Sequence, residues 1–204
     1  MRNENEIEVS VFCTCYNQEN YIRDCLDGCI MQETNFKFEV IVHDDASTDK
    51  SPAIIKEYQK KYPNIIKPII QNENQYSQNV PYMQKFMLPR AKGKYIAFCE
   101  GDDFWSDIHK LQIQYNILEN NENCNICLHK VKAINYLRKK DKLFYPSYNI
   151  MEGFIDNDKF LEYRCLKHQF FHVSSYFVTK KSFVEYYSLR NKYFNLPQCG
   201  DLSM

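Results

Sequence analysis

The sequence has only 5 glycines, 7 prolines and one tryptophan, and it carries no net charge, with 26 Lys and Arg against 26 Asp and Glu in 204 residues. Scarce Gly and Pro beside an aromatic content of 15% exclude a collagen-like or disordered chain. The balanced charge removes the long-range field that draws proteins to polyanions, so no nucleic-acid partner is expected. No stretch approaches the ~18 uninterrupted apolar residues of a membrane span. The opening MRNENEIEVS is polar and acidic where a secretory signal needs a basic and then an apolar run, so a cytoplasmic protein is expected. At about 150 residues per domain, the length predicts one domain. A chain of this size buries roughly 70% of its unfolded surface and needs neither disulfides nor metal merely to fold.

The nine cysteines are odd in number and scattered through apolar segments, as reduced thiols acting as small apolar residues would be. Cys124 and Cys127 have C-x-x-C spacing, but zinc needs two further ligands, and CNICLH has the apolar character of a strand.

Glu8 to Thr14 (EVSVFCT) predicts a strand that stops at the polar group from Cys15 to Asn20. Ile22, Cys25, Leu26, Cys29 and Ile30 then fall at helical spacing. Phe38 to Val42 predicts a second strand, followed by the cluster His43 to Asp49 and a helix opening at Ser51-Pro52 and ending at Pro63. A third strand is expected over Ile65 to Ile70, and a fourth over Lys94 to Cys99, ending directly in Glu100-Gly101-Asp102-Asp103-Phe104-Trp105. Between them, an irregular or helical segment interrupted by Pro81 and Pro89 is expected. Further on, a helix is expected over Ile108 to Asn121, a long strand over Asn125 to Leu137 and a short helix over Asp156 to Arg164. A strand over Phe170 to Thr179 and a helix over Lys181 to Ser188 complete the pattern. Strands alternating with helices, each strand ending in a polar cluster, predict an α/β fold with a mostly parallel central sheet flanked by helices. Ligands bind such sheets beyond the carboxyl ends of the strands.

Three acidic groups fall just past these strands: Glu19, then Asp44-Asp45 with Asp49, then Glu100 with Asp102-Asp103. Carboxylates gathered at one sheet edge repel one another, and a cation offsets that repulsion. Hard oxygen ligands select Mg²⁺ or Mn²⁺, which typically binds one or two carboxylates plus substrate phosphates. The alternative is that such acids cap the following helix, a reading that weighs equally for Asp49.

The succession VSVFCTCYNQENYIRDCLDGCIMQ, FEVIVHDDASTDKS and AKGKYIAFCEGDDFWSD, with KLQIQ following, resembles the inverting nucleotide-sugar transferases of glycosyltransferase family 2, which have the GT-A fold. It is most similar to members that build bacterial surface polysaccharides, and it runs in order from about Val9 to Leu118. The resemblance implies a nucleotide-sugar donor, a UDP-sugar, lying along Thr14, Tyr16, Asn17 and Glu19, with Asp44 on the base and Asp45 in the same pocket. It places Glu100 and Gly101 at the start of the D-x-D motif, near the ribose or sugar. Asp102 falls at the metal-binding second acid, with Asp103 beside metal and sugar and Mn²⁺ or Mg²⁺ as cofactor. It implies a general base in an E-D or G-D motif about a hundred residues later, which Cys199-Gly200-Asp201 fits, with Asp201 as the base. The acceptor implied is a glycan or lipid-linked glycan, compatible with peripheral association at the inner face of the membrane.

His172 is weighed between a core residue and one facing the site, and Phe104 and Trp105 between ordinary packing and a platform for a sugar ring. Glu100 departs from the commonest motif, which has Asp. The basic residue that many members carry before AKGKY has no clear counterpart, Arg90 being the candidate. By position, residues 1–120 correspond to a donor half and 121–204 to part of an acceptor half, with the family's usual later segments absent. A second reading follows: a nucleotide-sugar-binding module that relies on another chain for its acceptor site. A phosphoacceptor signalling domain is disfavoured, because its paired acids follow the first strand, whereas here they follow the second and fourth.

Overall fold

The structure, a computed structural model, describes residues 6–134, 143–145, 153–156 and 171–193. In chain order its strands are β1 (Ile7–Cys15), β2 (Lys37–Asp44), β3 (Ile66–Ile70), β4 (Tyr95–Phe98), β5 (Ile126–Cys127), β6 (Val131–Ala133), β7 (Leu143–Tyr145) and β8 (Phe177–Thr179). The helices are α1 (Ile22–Ile30), α2 (Ser51–Lys61), α3 (Lys110–Glu119) and α4 (Lys180–Tyr193). The main sheet has the order β3-β2-β1-β4-β8-β5, and β6 and β7 form a separate antiparallel pair. The pairs joining β1 to β4 are parallel, whereas β8 runs antiparallel to both β4 and β5.

Both faces of β1 are covered, which is why VSVFC reads as an almost continuous apolar run instead of an alternating one. On one face Val9, Val11 and Cys13 pack with Cys25 and Leu26 of α1, Ile55 of α2 and Leu111 and Tyr115 of α3. On the other face Phe12, Ile41, Ile96 and Phe98 pack with Met83, Met87, Phe183 and Tyr187. Met83 and Met87 belong to a π turn, Met83–Met87, followed by a 3₁₀ turn, Leu88–Arg90. Cys13, Cys15, Cys25, Cys29 and Cys99 are buried free thiols, as expected of small apolar residues. Cys124 and Cys127 are also free and lie at and beside β5.

Two expected elements differ. The long strand over Asn125 to Leu137 is, over its described residues, two short strands, because Gln114 of α3 draws the Cys127 carbonyl to its own amide and Leu128 to Lys130 leave the ladder. Over the described residues from Phe171, the strand expected over Phe170 to Thr179 is a strand only from Phe177. Before it, Val173–Ser175 form a 3₁₀ turn, closed where the His172 carbonyl accepts from both the backbone and the hydroxyl of Ser175. The helix expected over Asp156 to Arg164 lies outside the described residues apart from Asp156.

Candidate active site

The carboxyl ends of β1, β2 and β4 are drawn together by backbone hydrogen bonds that continue past the strands. Gly101 N–H donates to the Thr14 carbonyl at 2.8 Å, and Asp45 N–H to the Cys15 carbonyl at 2.9 Å. The acidic turn after β4 is thereby laid directly beside the end of β1. Two glycines permit this approach. A Cβ at Gly101 would stand 3.1 Å from the Thr14 carbonyl oxygen, and one at Gly28 would stand 2.8 Å from the Trp105 backbone. Gln32, just past α1, then ties down the loop leading to α3, donating to the Asp107 carbonyl at 2.7 Å and accepting from Leu111 N–H at 3.0 Å.

Around β1 and β2 the expected donor residues hold one another. Asn17 N–H donates to Ser47 Oγ at 2.9 Å, and Asn17 Oδ1 accepts from Thr48 N–H at 2.8 Å. Gln18 N–H donates to Ser51 Oγ at 3.0 Å and Glu19 N–H to Asp49 Oδ2 at 2.9 Å. In return Glu19 Oε2 accepts from Lys50 N–H at 2.9 Å. Asp49 Oδ1 accepts from Ser51 N–H at 2.8 Å, so Asp49 serves the start of α2 as a cap does. Asp45, 6% exposed, accepts from Gln75 N–H at 2.7 Å and Tyr76 N–H at 3.0 Å, anchoring the loop after β3. Next to it His43 lies stacked against Tyr82, 4.9 Å between ring centres, and its Nε2 accepts from the Gln71 side-chain amide at 3.1 Å. Burial pushes its pKa down to about 4, with the Arg90 charge adding to the effect.

Asp44 is fully buried. Its Oδ2 accepts from Ser47 N–H at 3.1 Å, while Oδ1 has no hydrogen-bond partner among the described residues. Burial raises its pKa, the Ser47 bonds opposing. A polar atom left unsatisfied at a strand end is where a ligand donor fits. Thr14 is half-buried, Tyr16 exposed, and Asn17 takes a left-handed φ of 53°.

In the turn after β4, Asp102 is exposed and Asp103 turns inward. Asp103 Oδ2 is sheltered from solvent, has no hydrogen-bond partner among the described residues, and lies 3.4 Å from His172 Nδ1. Burial pushes its pKa up to about 6, against the opposing charge of His172. One donor atom each from Glu100, Asp103 and His172 lie within 4.8 Å of one another. Two carboxylates and an imidazole fit a divalent cation of the Mn²⁺ type, and Asp103 Oδ2 is an acceptor that lacks its donor.

The structure thus brings His172, which the sequence left between two readings, to the acidic turn. Its neighbours fix it there. Trp105, 4% exposed, donates its indole N–H to the Ser174 carbonyl at 3.2 Å, and Gln114 donates to the Ser175 carbonyl at 2.9 Å. Trp105 is therefore packed and hydrogen-bonded and forms no platform, whereas Phe104 remains exposed. Sequence reasoning missed the part played by Gln114, since a glutamine on a helix gives no sign of the carbonyl it will meet. A cavity of about 660 Å³ opens from Asp102, Asp103 and His172 along α3 and the segment from Cys127 to Ile134. Asp201 lies outside the described residues. Among the described residues no helix is long and apolar enough to cross a membrane.

Comparison with known proteins gives this geometry a family. An uncharacterized protein of Mycobacterium tuberculosis is 43% identical over 138 residues, 68% of this chain and 39% of the relative. A poly(ribitol-phosphate) beta-glucosyltransferase of Bacillus spizizenii is 34% identical over 130 residues, 63% of this chain and 20% of the relative. The chain thus spans about two fifths or less of the length of these relatives. Among solved structures, S. aureus TarS 1-349 in complex with UDP superposes with a TM-score of 0.53 at 26% identity, covering 67% of this chain and 39% of TarS 1-349. The fold is that of the GT-A glycosyltransferases, as the sequence led us to expect. The glycosyl transferase family 2 model matches residues 10–187, and the chain belongs to that family.

Proposed function

We propose that the chain transfers a sugar, with inversion, from a UDP-sugar to a hydroxyl of a surface-polysaccharide or teichoic-acid acceptor at the cytoplasmic side of the membrane. The carrying observation is the two acids with an unsatisfied oxygen, Asp44 Oδ1 and Asp103 Oδ2, past the ends of β2 and β4, the strands on either side of β1. One would accept from the uracil base and the other would face the metal-bound diphosphate. The relative named as a poly(ribitol-phosphate) beta-glucosyltransferase, and TarS with UDP, support this reading.

In this scheme Thr14, Tyr16, Asn17 and Glu19 form the floor under the nucleotide, and Asp45 acts indirectly by holding the Gln75–Tyr76 loop. Glu100 and Gly101 border the ribose and sugar, while Asp102 and Asp103 lie at the diphosphate. Residues 1–120 are the donor half, and the cavity along α3 is where the acceptor enters the later half. Asp201 takes the proton of the acceptor hydroxyl as its oxygen attacks the anomeric carbon, and the bond to the diphosphate breaks on the opposite face. When bound, Mn²⁺ or Mg²⁺ neutralises the charge that grows on the leaving nucleotide.

Calorimetric titration with UDP, with and without Mn²⁺, tests the site. Binding that requires metal and is weakened in Asp102→Ala and Asp103→Asn is expected, and binding indifferent to all three sinks the reading. Donor turnover that survives in Asp201→Asn would remove Asp201 as the base.

A further inference from the structure

We propose that Cys25, Cys29 and Cys99, with Cys13, hold a Zn²⁺ ion in the core, between α1 and the carboxyl ends of β1 and β4, apart from the acidic turn. The inference goes beyond the nucleotide-sugar reading and does not depend on it.

Four sulfurs from three elements converge there. Cys25 and Cys29 lie one turn apart on the buried face of α1, Cys99 follows β4 directly, and Cys13 stands near the end of β1. All four residues are 0% exposed. Cys25 Sγ lies 3.6 Å from Cys99 Sγ and 3.6 Å from Cys13 Sγ. The sulfurs of Cys25, Cys29 and Cys99 all lie within 4.8 Å of one another. With bonds of about 2.3 Å, a tetrahedral Zn²⁺ sets its sulfurs about 3.8 Å apart, so the two measured contacts are close to the edge such a site needs. Cys25, Cys29 and Cys99 then make three corners, and Cys13 is placed to give the fourth.

A buried charge beside the sulfurs points the same way. Lys110, which opens α3, is buried. Its ammonium lies 4.0 Å from the centre of the Trp105 ring and donates to Gln114 Oε1 at 2.7 Å. Among the described residues no carboxylate pairs with it. The groups whose charge acts favourably on it are the thiols of Cys99, Cys29 and Cys127. A cation taken out of water is costly unless an opposite charge meets it. Packing as small apolar residues accounts for each buried thiol, but neutral thiols supply no such charge. Thiolates around Zn²⁺ keep a net negative charge and do supply it. An all-sulfur donor set selects soft ions over Mg²⁺, and Cu⁺ would leave one more negative charge in the core than Zn²⁺ leaves. Each thiol that binds gives its proton to solvent.

Sulfurs sealed from solvent admit an ion only while the core is open, so the test loads the metal during folding. The full chain is unfolded in urea with a reductant and refolded with Zn²⁺, or with Co²⁺ as its coloured substitute. About one zinc per chain should survive desalting, and a chelator should remove it in urea but not from the folded protein. The cobalt form should show a sulfur-to-cobalt charge-transfer band, which the carboxylates and imidazole of the acidic turn cannot give. Cys29→Ser should lose the band. Lys110→Met should keep it and weaken Zn²⁺ binding about tenfold. The double variant Cys124→Ala, Cys127→Ala should leave the band unchanged. A refolded wild-type chain without the band overturns the proposal, as does a band that disappears with Cys124 and Cys127, or a thiol count that shows a disulfide among the four cysteines. The wild-type and double-variant spectra decide even if Cys29→Ser fails to fold.

Discussion

The acids after β2 and the acids after β4 look alike in the sequence and do opposite work in the fold. After β2, Asp45 and Asp49 are consumed by backbone N–H groups of neighbouring loops, four bonds of 2.7 to 3.0 Å between them. After β4, Asp103 is sheltered yet lacks a donor and faces an imidazole. A carboxylate paired with amides is part of the scaffold. One that is desolvated and met only by an imidazole at 3.4 Å is costly on its own and persists where a ligand completes it. Asp44 belongs to both groups, with one oxygen bonded to the loop and the other unsatisfied.

The contrast predicts opposite responses to substitution. Asp103→Asn should lower metal-dependent UDP affinity by on the order of 100-fold while leaving the fold intact. At pH 7 it should raise stability by roughly 1 kcal/mol, because a carboxyl whose pKa is raised to about 6 costs stability once it ionises. Titration calorimetry and urea unfolding on the same sample would show the two changes, and a loss of both binding and stability would erase the distinction.

Asp45→Ala should behave in the other way. It removes the charged acceptor of the Gln75 and Tyr76 amides in a partly exposed loop and should cost about 2 kcal/mol in urea unfolding. A cost near zero would mean that the loop after β3 is not held from β2.

A third prediction concerns protons. His43 and His129 are each held by burial at a pKa of about 4, below the 6.5 of the unfolded chain. The unfolded state then binds the extra protons, so their contribution is complete above pH 6.5 and is lost as pH falls toward 4. Unfolding free energy should fall over that window with a slope of up to about 1.4 kcal/mol per pH unit for each histidine. His43→Gln should halve the slope that the two share. An unchanged slope would show that the stack on Tyr82 does not keep His43 neutral.

The smallest expected effect is at Ala46, which sits between Asp45 and Ser47 with a left-handed φ of 62°. Ala46→Gly should raise the unfolding free energy by roughly 0.5–1 kcal/mol, the relief of the Cβ clash exceeding the added chain entropy. If it destabilises, the loop after β2 is less rigidly set than its hydrogen bonds imply.

The sequence revealed most of this up to α3. The apolar runs of β1 to β4 and the Ile22, Cys25, Leu26, Cys29 stripe report burial directly, and burial is what hydrophobic spacing encodes. What it hid was pairing at a distance. Nothing in FFHVSSYFVT distinguishes a strand from a 3₁₀ turn whose carbonyls are met by Trp105 and Gln114, some 60 to 70 residues earlier in the chain. Likewise DDASTD gives no sign that one acid keeps an unsatisfied oxygen while its neighbour anchors a loop, because that depends on where Gln75 and Tyr76 return. His172 could be weighed from sequence but not placed, since its partner Asp103 lies on another strand's end.

The clasp between the loops after β1 and β2 has a consequence for timing. Asn17, Gln18 and Glu19 each donate a backbone N–H to a side chain of the other loop, so the order of those loops is established when the chain folds. On the proposed function, a nucleotide arriving there would meet a floor already fixed, and association should be a single bimolecular step with no slow rearrangement of that floor. In hydrogen exchange, the amides of residues 17–19 should then be about as protected before the nucleotide binds as after.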